Sequence, residues 1–217
     1  LWIGGLERLY NSNIKKLGVI HRGFSTYEKT KYRNNPEWQI AIDMQNLFPD
    51  LPMICDPSHI TGKRAMIQEL AQQALDLNYD GLIIETHNDP DNAWSDAAQQ
   101  VTPSVLKQMF VDLKVRKTTD DASEYNQKMA KLRMQIDGYD EKILENLGYR
   151  MQIADQIGLL KKEKNVAILQ NQRWNDILTK MTKEGKEIGL SAEFVMQLFK
   201  AIHQESIKHQ EKVMNNK

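Results

Sequence analysis

Three side chains in the first half of the chain are of the types that bind divalent metal ions. His59, Glu85 and Asp96 stand at or just after the ends of two successive apolar runs. An imidazole with carboxylates suits Zn²⁺, Mn²⁺ or Fe²⁺, and a complete catalytic site needs a further ligand or a water. Spacing alone leaves two interpretations open, a metal site and a set of ordinary polar residues.

Two further residues near these runs carry binding or reactive groups. Arg22 follows an apolar run and precedes Gly23, so its guanidinium could hold a phosphate or carboxylate through paired hydrogen bonds. A solvated loop arginine is the alternative. Cys55 lies inside an apolar run, which favours a buried, unreactive thiol over a ligand or nucleophile.

In the second half, cationic and amide side chains recur at helical spacing. Arg150 and Lys161 are 11 residues apart. On a helix this spacing returns to within roughly 20° of one face, about 16 Å further along the axis. Two long side chains leaning together from these positions can hold one small ligand. Ser206 and Gln210 share a face of a later helix. The alternative is a solvated charged face.

Arg133 lies 17 residues before Arg150. This places it about 25 Å away along a helix and roughly 100° round it. It cannot serve the same pocket within one chain unless the helix breaks. If Arg133 is functional, a second subunit must supply it, and antiparallel pairing of the long helices would do so. His203 and His209 are expected to be exposed helix residues.

The first group of residues requires strands alternating with helices. Helical periodicity covers residues 1–11, 36–48, 63–77 and 93–113, and apolar runs predict strands within 15–23, 51–55 and 81–87. Strands separated by helices imply parallel βαβ units, whose chemistry lies at the C-terminal ends of the strands. Three parallel strands are too few to close a barrel.

The second group requires long helices. All six prolines lie in the first 103 residues, and an apolar stripe from Met129 to Leu160 predicts one long helix. Two more helices are expected over about 168–183 and after Ser191. Gly138, Gly148 and Gly158 each weaken the long helix by about 1 kcal/mol, so packing must stabilise it. We therefore predict a first domain at 1–113, a linker at 114–126 and a helical domain at 127–217.

Composition narrows the class of protein. The 217 residues carry 29 Lys+Arg and 29 Asp+Glu, which argues against a dedicated nucleic-acid binder. The chain shows neither 18 successive apolar residues nor a basic-then-apolar leader, so no membrane partner is expected. A single cysteine favours a reducing compartment, so we expect a cytoplasmic protein. Because the chain begins at Leu1 inside a periodic segment, we expect a piece of a longer protein.

Three strings in the first half occur in a fixed order: HRGFSTYEKTKYRN, PMICDPSHITGKR and GLIIETHNDPDNAWSDAAQQ. They resemble the last three β/α units of the short-form, type Iβ-like 3-deoxy-D-arabino-heptulosonate 7-phosphate (DAHP) synthases. Those enzymes are TIM barrels that condense phosphoenolpyruvate with erythrose 4-phosphate, using Mn, Fe, Zn or Co as a divalent metal. The resemblance implies that His59, Glu85 and Asp96 are three of four metal ligands, and that Arg22 binds phosphoenolpyruvate.

The match to these synthases is partial. The family's first five strands, metal-binding cysteine, catalytic lysine and segment that holds erythrose phosphate have no counterpart here, and Cys55 does not match the position of that ligand. We therefore expect no DAHP formation by this chain alone.

The string LRMQIDGYDEKILENL and the basic and amide residues after it resemble the all-helical (type II) chorismate mutases over residues 127–214. That family forms an intertwined homodimer and rearranges chorismate, a dianion, to prephenate without a cofactor. The resemblance implies carboxylate binding by Arg150 and by Arg133 of a partner subunit, support by Arg173, a carboxylate contact by Ser206, and donation to the ether oxygen by Lys161 and Gln210.

Two positions depart from the mutase pattern. Trp174 stands where the family usually has a glutamate that accepts from the substrate hydroxyl, and Gln170 replaces a frequent aspartate. The hydroxyl contact is therefore either lost or partly taken over by Gln170.

The expected fold is α/β plus all-α: three β/α units from the C-terminal portion of a TIM (β/α)8 barrel, then a three-helix chorismate mutase domain. We predict a chorismate mutase fused to a truncated DAHP synthase of aromatic amino acid biosynthesis, the shikimate pathway. One alternative is a regulatory module that binds prephenate or chorismate and restrains an attached synthase. Another is a helical dimerisation element without a ligand.

Overall fold

The computed structural model describes residues 2–14, 16–26 and 30–215, and the chain divides into two compact units, Leu1–Asp120 and Asp121–Lys217. None of the described helices combines the length and apolar content that a membrane span requires.

The first unit is built on three parallel strands in the order β1-β2-β3. The strands are β1 (Val19–His21), β2 (Met53–Cys55) and β3 (Gly81–Leu82). Val19 pairs with Met53, and Cys55 pairs with Leu82. Because all three strands run the same way, the segments that follow them meet at one edge of the sheet.

The described part of this unit also contains five α-helices: α1 (Trp2–Asn11), α2 (Trp38–Leu47), α3 (Pro57–Thr61), α4 (Ile67–Asp76) and α5 (Pro103–Asp112). Apolar side chains of α1 to α4 form a core with the strands, in which the fully buried residues include Met53, Cys55, Ile60 and Leu70. A second small core joins Ile67, Val101 and Met109. The predicted alternation of strands and helices is therefore present.

The segment 93–113 is helical only in its second half. Ala97–Gln99 forms a 3-10 turn preceded by Asp96 in the left-handed region (φ 50°), which interrupts a continuous helix. Helix α5 begins at Pro103, and the Thr102 side chain accepts a hydrogen bond from the Val105 amide as its N-cap. The sequence periodicity over 93–102 was therefore a wrong indication of a helix.

Three helices form the second unit: α6 (Ser123–Lys164), α7 (Asn171–Glu187) and α8 (Ala192–Asn215). Helix α6 has 42 residues and therefore spans about 63 Å. It begins at Ser123, inside the segment 114–126 that was predicted as a linker. The helix ends at Lys164, and Asn165 caps it with a left-handed backbone (φ 52°).

The core of this unit lies at one end of α6. Among the described residues of α6, only Ala154 and Gly158 are buried, and they pack where α8 buries Ser206 and Gln210. Earlier on α6, apolar side chains stay exposed: Leu132 is 54% exposed and Tyr139 65%. The three-helix unit therefore buries no described apolar residue in the N-terminal half of α6. In the C-terminal half it buries Ala154 but leaves other apolar side chains exposed, such as Leu160 at 58%.

Gly158 marks the closest approach of α6 and α8. A Cβ atom at this position would lie 2.5 Å from Cγ2 of Val213 and 3.0 Å from Cα of Gln210. The cost of glycine in a helix is therefore offset by a close backbone contact that fixes α8 at the level of Gln210.

We expect Gly158→Ala to lower the free energy of unfolding by about 1–3 kcal/mol, because the added methyl group forces α8 away from α6. Gly148→Ala is the matched control, since a Cβ there meets nothing within 4 Å of the chain. It should stabilise α6 by about 0.5–1 kcal/mol. Urea unfolding monitored by circular dichroism measures both changes, and equal stability of the two variants would contradict the close-contact argument.

Candidate functional site

A cavity of about 400 Å³ lies among the three helices of the second unit. Thirteen described residues line it: Arg150, Ile153, Ala154, Ile157, Lys161, Ile168, Gln170, Arg173, Trp174, Ile177, His203, Ser206 and Gln210. Three of them are basic, and none of these described residues is acidic. The cavity therefore has the character of an anion-binding site.

Helix α6 contributes the two cations that its periodicity placed on one face. Arg150 donates to the hydroxyl of Ser206. Lys161 Nζ donates to the Ile168 carbonyl at 2.5 Å and to Oε1 of Gln210 at 3.1 Å. Burial lowers the pKa of both side chains. The side chains of Arg150 and Lys161, about three turns apart on α6, thus line the same cavity, as their spacing of 11 residues predicts.

Helix α8 supplies buried polar groups on the opposite wall. The Ser206 hydroxyl donates to the Ile202 carbonyl at 2.8 Å, and Gln210 Nε2 donates to the Ser206 carbonyl at 3.3 Å. Two hydrogen bonds therefore orient each side chain, one to a backbone carbonyl of α8 and one from a cation of α6. Such fixed donors cost little reorganisation when a charge arrives.

The third wall combines an exposed cation with an aromatic pair. Gln170 and Arg173 line the cavity from the start of α7. The indole of Trp174 stacks on the imidazole of His203, with ring centroids 4.0 Å apart and planes inclined by 17°. Burial lowers the pKa of His203, and the nearby charges of Arg150 and Lys161 act in the same direction.

The expectation that both histidines of α8 are exposed was wrong. His203 is half-buried in the cavity wall, and His209 is half-buried with its Nδ1 2.9 Å from Oδ1 of Asp155. The spacing held a signal for His203, because it precedes Ser206 by three residues and therefore shares its helix face.

Arg133 does not line this cavity. It lies on the exposed N-terminal half of α6, 17 residues before Arg150 in an unbroken helix. The helix therefore holds Arg133 about 25 Å from Arg150 along its axis.

The first unit brings the three metal-type residues together. Atoms of His59, Glu85 and Asp96 that could bind a metal all lie within 4.8 Å of one another. His59 belongs to α3, directly after β2, and Glu85 follows β3 at the same edge of the sheet. Asp96 reaches this edge from its left-handed turn, a conformation more common in functional sites than elsewhere.

A layer of hydrogen bonds holds the three candidate ligands. Asp56 Oδ2 lies 2.7 Å from His59 Nδ1, which leaves His59 Nε2 on the side of Glu85, 3.4 Å from its Oε1. Gln99 donates to Glu85 Oε2, and Arg33 donates to Asp96 Oδ1, both at 2.7 Å. The Arg33 hydrogen bond lowers the pKa of Asp96.

These supporting residues were not found from the sequence. Asp56 had a signal, because it stands three residues before His59 and also caps α3 through the His59 amide. Arg33 and Gln99 are joined to the cluster only by the fold. One imidazole and two carboxylates, with their other polar atoms held by neighbours, fit the common arrangement of a divalent transition-metal site.

Arg22 and Cys55 lie beside this cluster in different environments. Arg22 is more than half exposed, and its Nε is 3.5 Å from Oδ2 of Asp56. Cys55 is fully buried, and burial, with a smaller effect of the Asp56 charge, raises its pKa to about 12. The Cys55 thiol is therefore protonated near neutral pH, in keeping with an unreactive core residue.

Two relatives each match part of the chain. A phospho-2-dehydro-3-deoxyheptonate aldolase of Thermotoga maritima is 31% identical over 108 residues, which make up 50% of this chain and 31% of that protein. A bifunctional chorismate mutase/prephenate dehydratase of Buchnera aphidicola is 33% identical over 89 residues, or 41% of this chain and 23% of that protein. The chain thus spans less than a third of either relative.

A solved structure also matches part of the chain. It is a truncated form of 3-deoxy-D-arabino-heptulosonate 7-phosphate synthase from Thermotoga maritima, with 29% identity and a TM-score of 0.43. The match covers 49% of this chain and 40% of that structure.

Family models cover most of the sequence. Residues 5–122, more than half of the chain, match the DAHP synthetase I family, and residues 132–211 match chorismate mutase type II. The chain therefore belongs to the DAHP synthetase I family and carries, after that segment, a chorismate mutase type II segment.

Proposed function

We propose that the helical unit is a chorismate mutase that rearranges chorismate to prephenate. The observation that carries this proposal is the convergence of Arg150, Lys161, Ser206 and Gln210 on one cavity whose described lining has no acidic side chain. The family match over residues 132–211 supports it. Chorismate is a dianion with an ether oxygen, and the cavity offers cations for its carboxylates and hydrogen-bond donors for its ether oxygen.

The rearrangement is intramolecular, so the site needs to hold one conformer and stabilise charge, and it requires neither a nucleophile nor a cofactor. Arg150 binds one carboxylate of chorismate, Ser206 contacts a carboxylate, and Arg173 adds positive charge to the same wall. Lys161 and Gln210 donate to the ether oxygen, where negative charge develops as the bond breaks. Gln210 Nε2 donates one hydrogen to the Ser206 carbonyl, and its other hydrogen, which has no acceptor among the described residues, would be donated to this oxygen.

We expect Lys161→Ala and Gln210→Ala each to lower kcat for chorismate by roughly 10²–10³-fold, about 3–4 kcal/mol, because each removes a donor that acts on developing charge. Lys164→Ala is the matched control, since Lys164 is exposed at the end of the same helix. Its kcat should stay within about twofold of the unchanged chain. Near-normal turnover by either cavity variant would contradict the assignment.

We further propose that two copies pair through the N-terminal half of α6 in an intertwined, antiparallel dimer. The exposed apolar side chains of this half, which include Leu132, Ile136 and Tyr139, support the pairing. Arg133 lies among them and would reach the partner's cavity, where it binds the second carboxylate.

A mixture of Arg133→Ala and Lys161→Ala chains tests this arrangement. In each mixed dimer, one cavity receives Arg133 from one chain and Lys161 from the other, and is complete. After unfolding and refolding together in equal amounts, about a quarter of the cavities should be intact, whereas each variant alone stays nearly inactive. Activity that does not rise above the sum of the separate variants would exclude action of Arg133 across subunits.

For the first unit, we propose the role of a DAHP synthase segment, which condenses phosphoenolpyruvate with erythrose 4-phosphate in its complete form. The family match over residues 5–122 supports this role. His59, Glu85 and Asp96 would hold a divalent metal, which supplies a Lewis acid when bound. Arg22 would bind the phosphate of phosphoenolpyruvate. Together the two segments suggest a protein of aromatic amino acid biosynthesis.

We also propose that these 217 residues alone do not catalyse the condensation. They supply three described strands and three of the four metal ligands that the family resemblance implies. The segment that would hold erythrose phosphate has no counterpart in the sequence.

We expect His59→Ala to abolish Mn²⁺ binding, and Asp56→Asn to weaken it by about 10–100-fold, because Asp56 orients the His59 ring. The electron paramagnetic resonance signal of free Mn²⁺ measures the bound fraction in each titration. Asp91→Asn is the control, since Asp91 is exposed and paired with Arg64 outside the cluster. The same Mn²⁺ affinity in His59→Ala and the unchanged chain would argue against the site.

A further inference from the structure

The stacked pair of Trp174 and His203 gives the cavity a wall of a kind that the proposed reaction does not use. The two rings come from α7 and α8 and lie almost parallel, 4.0 Å apart. Both line the cavity together with Arg150, Arg173 and Lys161. A flat aromatic surface therefore stands in the same cavity as three cations.

Stacking makes this wall rigid. The indole is half-buried, and its one flat neighbour among the described aromatic contacts is the imidazole of His203. His203 is in turn fixed by its position on α8, one turn before Ser206, which Arg150 holds from α6. The orientation of the aromatic wall relative to the cations is therefore set before a ligand enters.

The lining also determines which ligand groups find a partner. Carboxylates meet Arg150, Arg173 and Lys161. No described lining residue offers a carboxylate to accept from a ligand hydroxyl, the Gln170 amide is exposed to water, and Oε1 of Gln210 already accepts from Lys161. Apolar ring surface meets Trp174, His203 and the isoleucines of α6. Burial and the charges of Arg150 and Lys161 lower the pKa of His203. Above neutral pH its imidazole is therefore uncharged and belongs to the aromatic surface of the cavity.

We infer that the Trp174–His203 pair determines specificity in this cavity, and that it selects dicarboxylates carrying a six-membered ring by ring shape and charge, with no contribution from a ring hydroxyl. This inference rests on the proposed function to the extent that the ligand is a cyclic dianion. It adds the groups that recognise the ring.

Two simple dianions isolate the contribution of the ring. Isophthalate and glutarate both separate their carboxylates by three carbons, but only isophthalate has a ring. At pH 8, calorimetric titration of the full chain should give roughly tenfold tighter binding of isophthalate, the size of a good aromatic contact. 5-Hydroxyisophthalate should bind within about twofold of isophthalate, because its hydroxyl meets no acidic acceptor.

Variants then assign this selectivity to the pair. Trp174→Ala should bring the ratio of the two affinities close to one while leaving glutarate binding within about twofold, and Trp174→Phe should restore most of the ratio. Trp94→Ala is the control, because Trp94 is fully exposed in the other unit, and it should keep the full ratio. A merely structural role of Trp174 predicts an equal loss for both ligands.

The inference is overturned if the unchanged chain binds isophthalate and glutarate equally or binds neither. It is also overturned if the ratio of their affinities survives Trp174→Ala, or if 5-hydroxyisophthalate binds much more tightly than isophthalate. Chorismate turnover, measured separately on the unchanged chain, keeps this outcome distinct from the proposed function. Absence of turnover with intact ring selectivity refutes only the mutase activity. Turnover without ring selectivity refutes only the role of the aromatic pair.

Discussion

The close approach of α6 and α8 at Gly158 is the constraint on which the helical cavity depends. With no side chain at this position, α8 comes close enough for the side-chain amide oxygen of Gln210 to accept from Lys161. About one turn earlier on α8, the Ser206 hydroxyl accepts from Arg150. Both hydrogen bonds cross between the same two helices, so one spacing sets both. A cavity that must present several donors to one small ligand gains its precision from this shared contact.

The same geometry brings several positive charges together in the cavity, which is unfavourable for the stability of the empty site. Three cations line the cavity, its described lining has no acidic side chain, and burial disfavours the charged forms of Arg150 and Lys161. Three like charges in one cavity repel one another, and a bound anion would offset this repulsion. The formal charge of the whole chain is zero, but the local charge of this cavity is positive. The cluster of His59, Glu85 and Asp96 in the first unit has the opposite character, with two carboxylates beside one imidazole.

Features encoded by local periodicity could be predicted from the sequence. The spacing of 11 residues between Arg150 and Lys161 fixed a shared face, and the polar ends of parallel strands placed His59 near Glu85. Features that depend on contacts between distant segments could not. Arg33 joins Asp96 across 63 residues, and the Trp174–His203 stack joins two helices. The interruption before α5 was also missed, because one left-handed residue decides it.

Helix α6 has a gradient of stability along its length. Its last turns are held by α8, whereas its first half contains Gly138 and has no buried described residue. An isolated helical segment of this kind is marginal in water, so the order of the backbone around Arg133 depends on what covers it. If a second copy provides that cover, the concentration of the chain sets not only how many cavities are complete but also how much of α6 is helical.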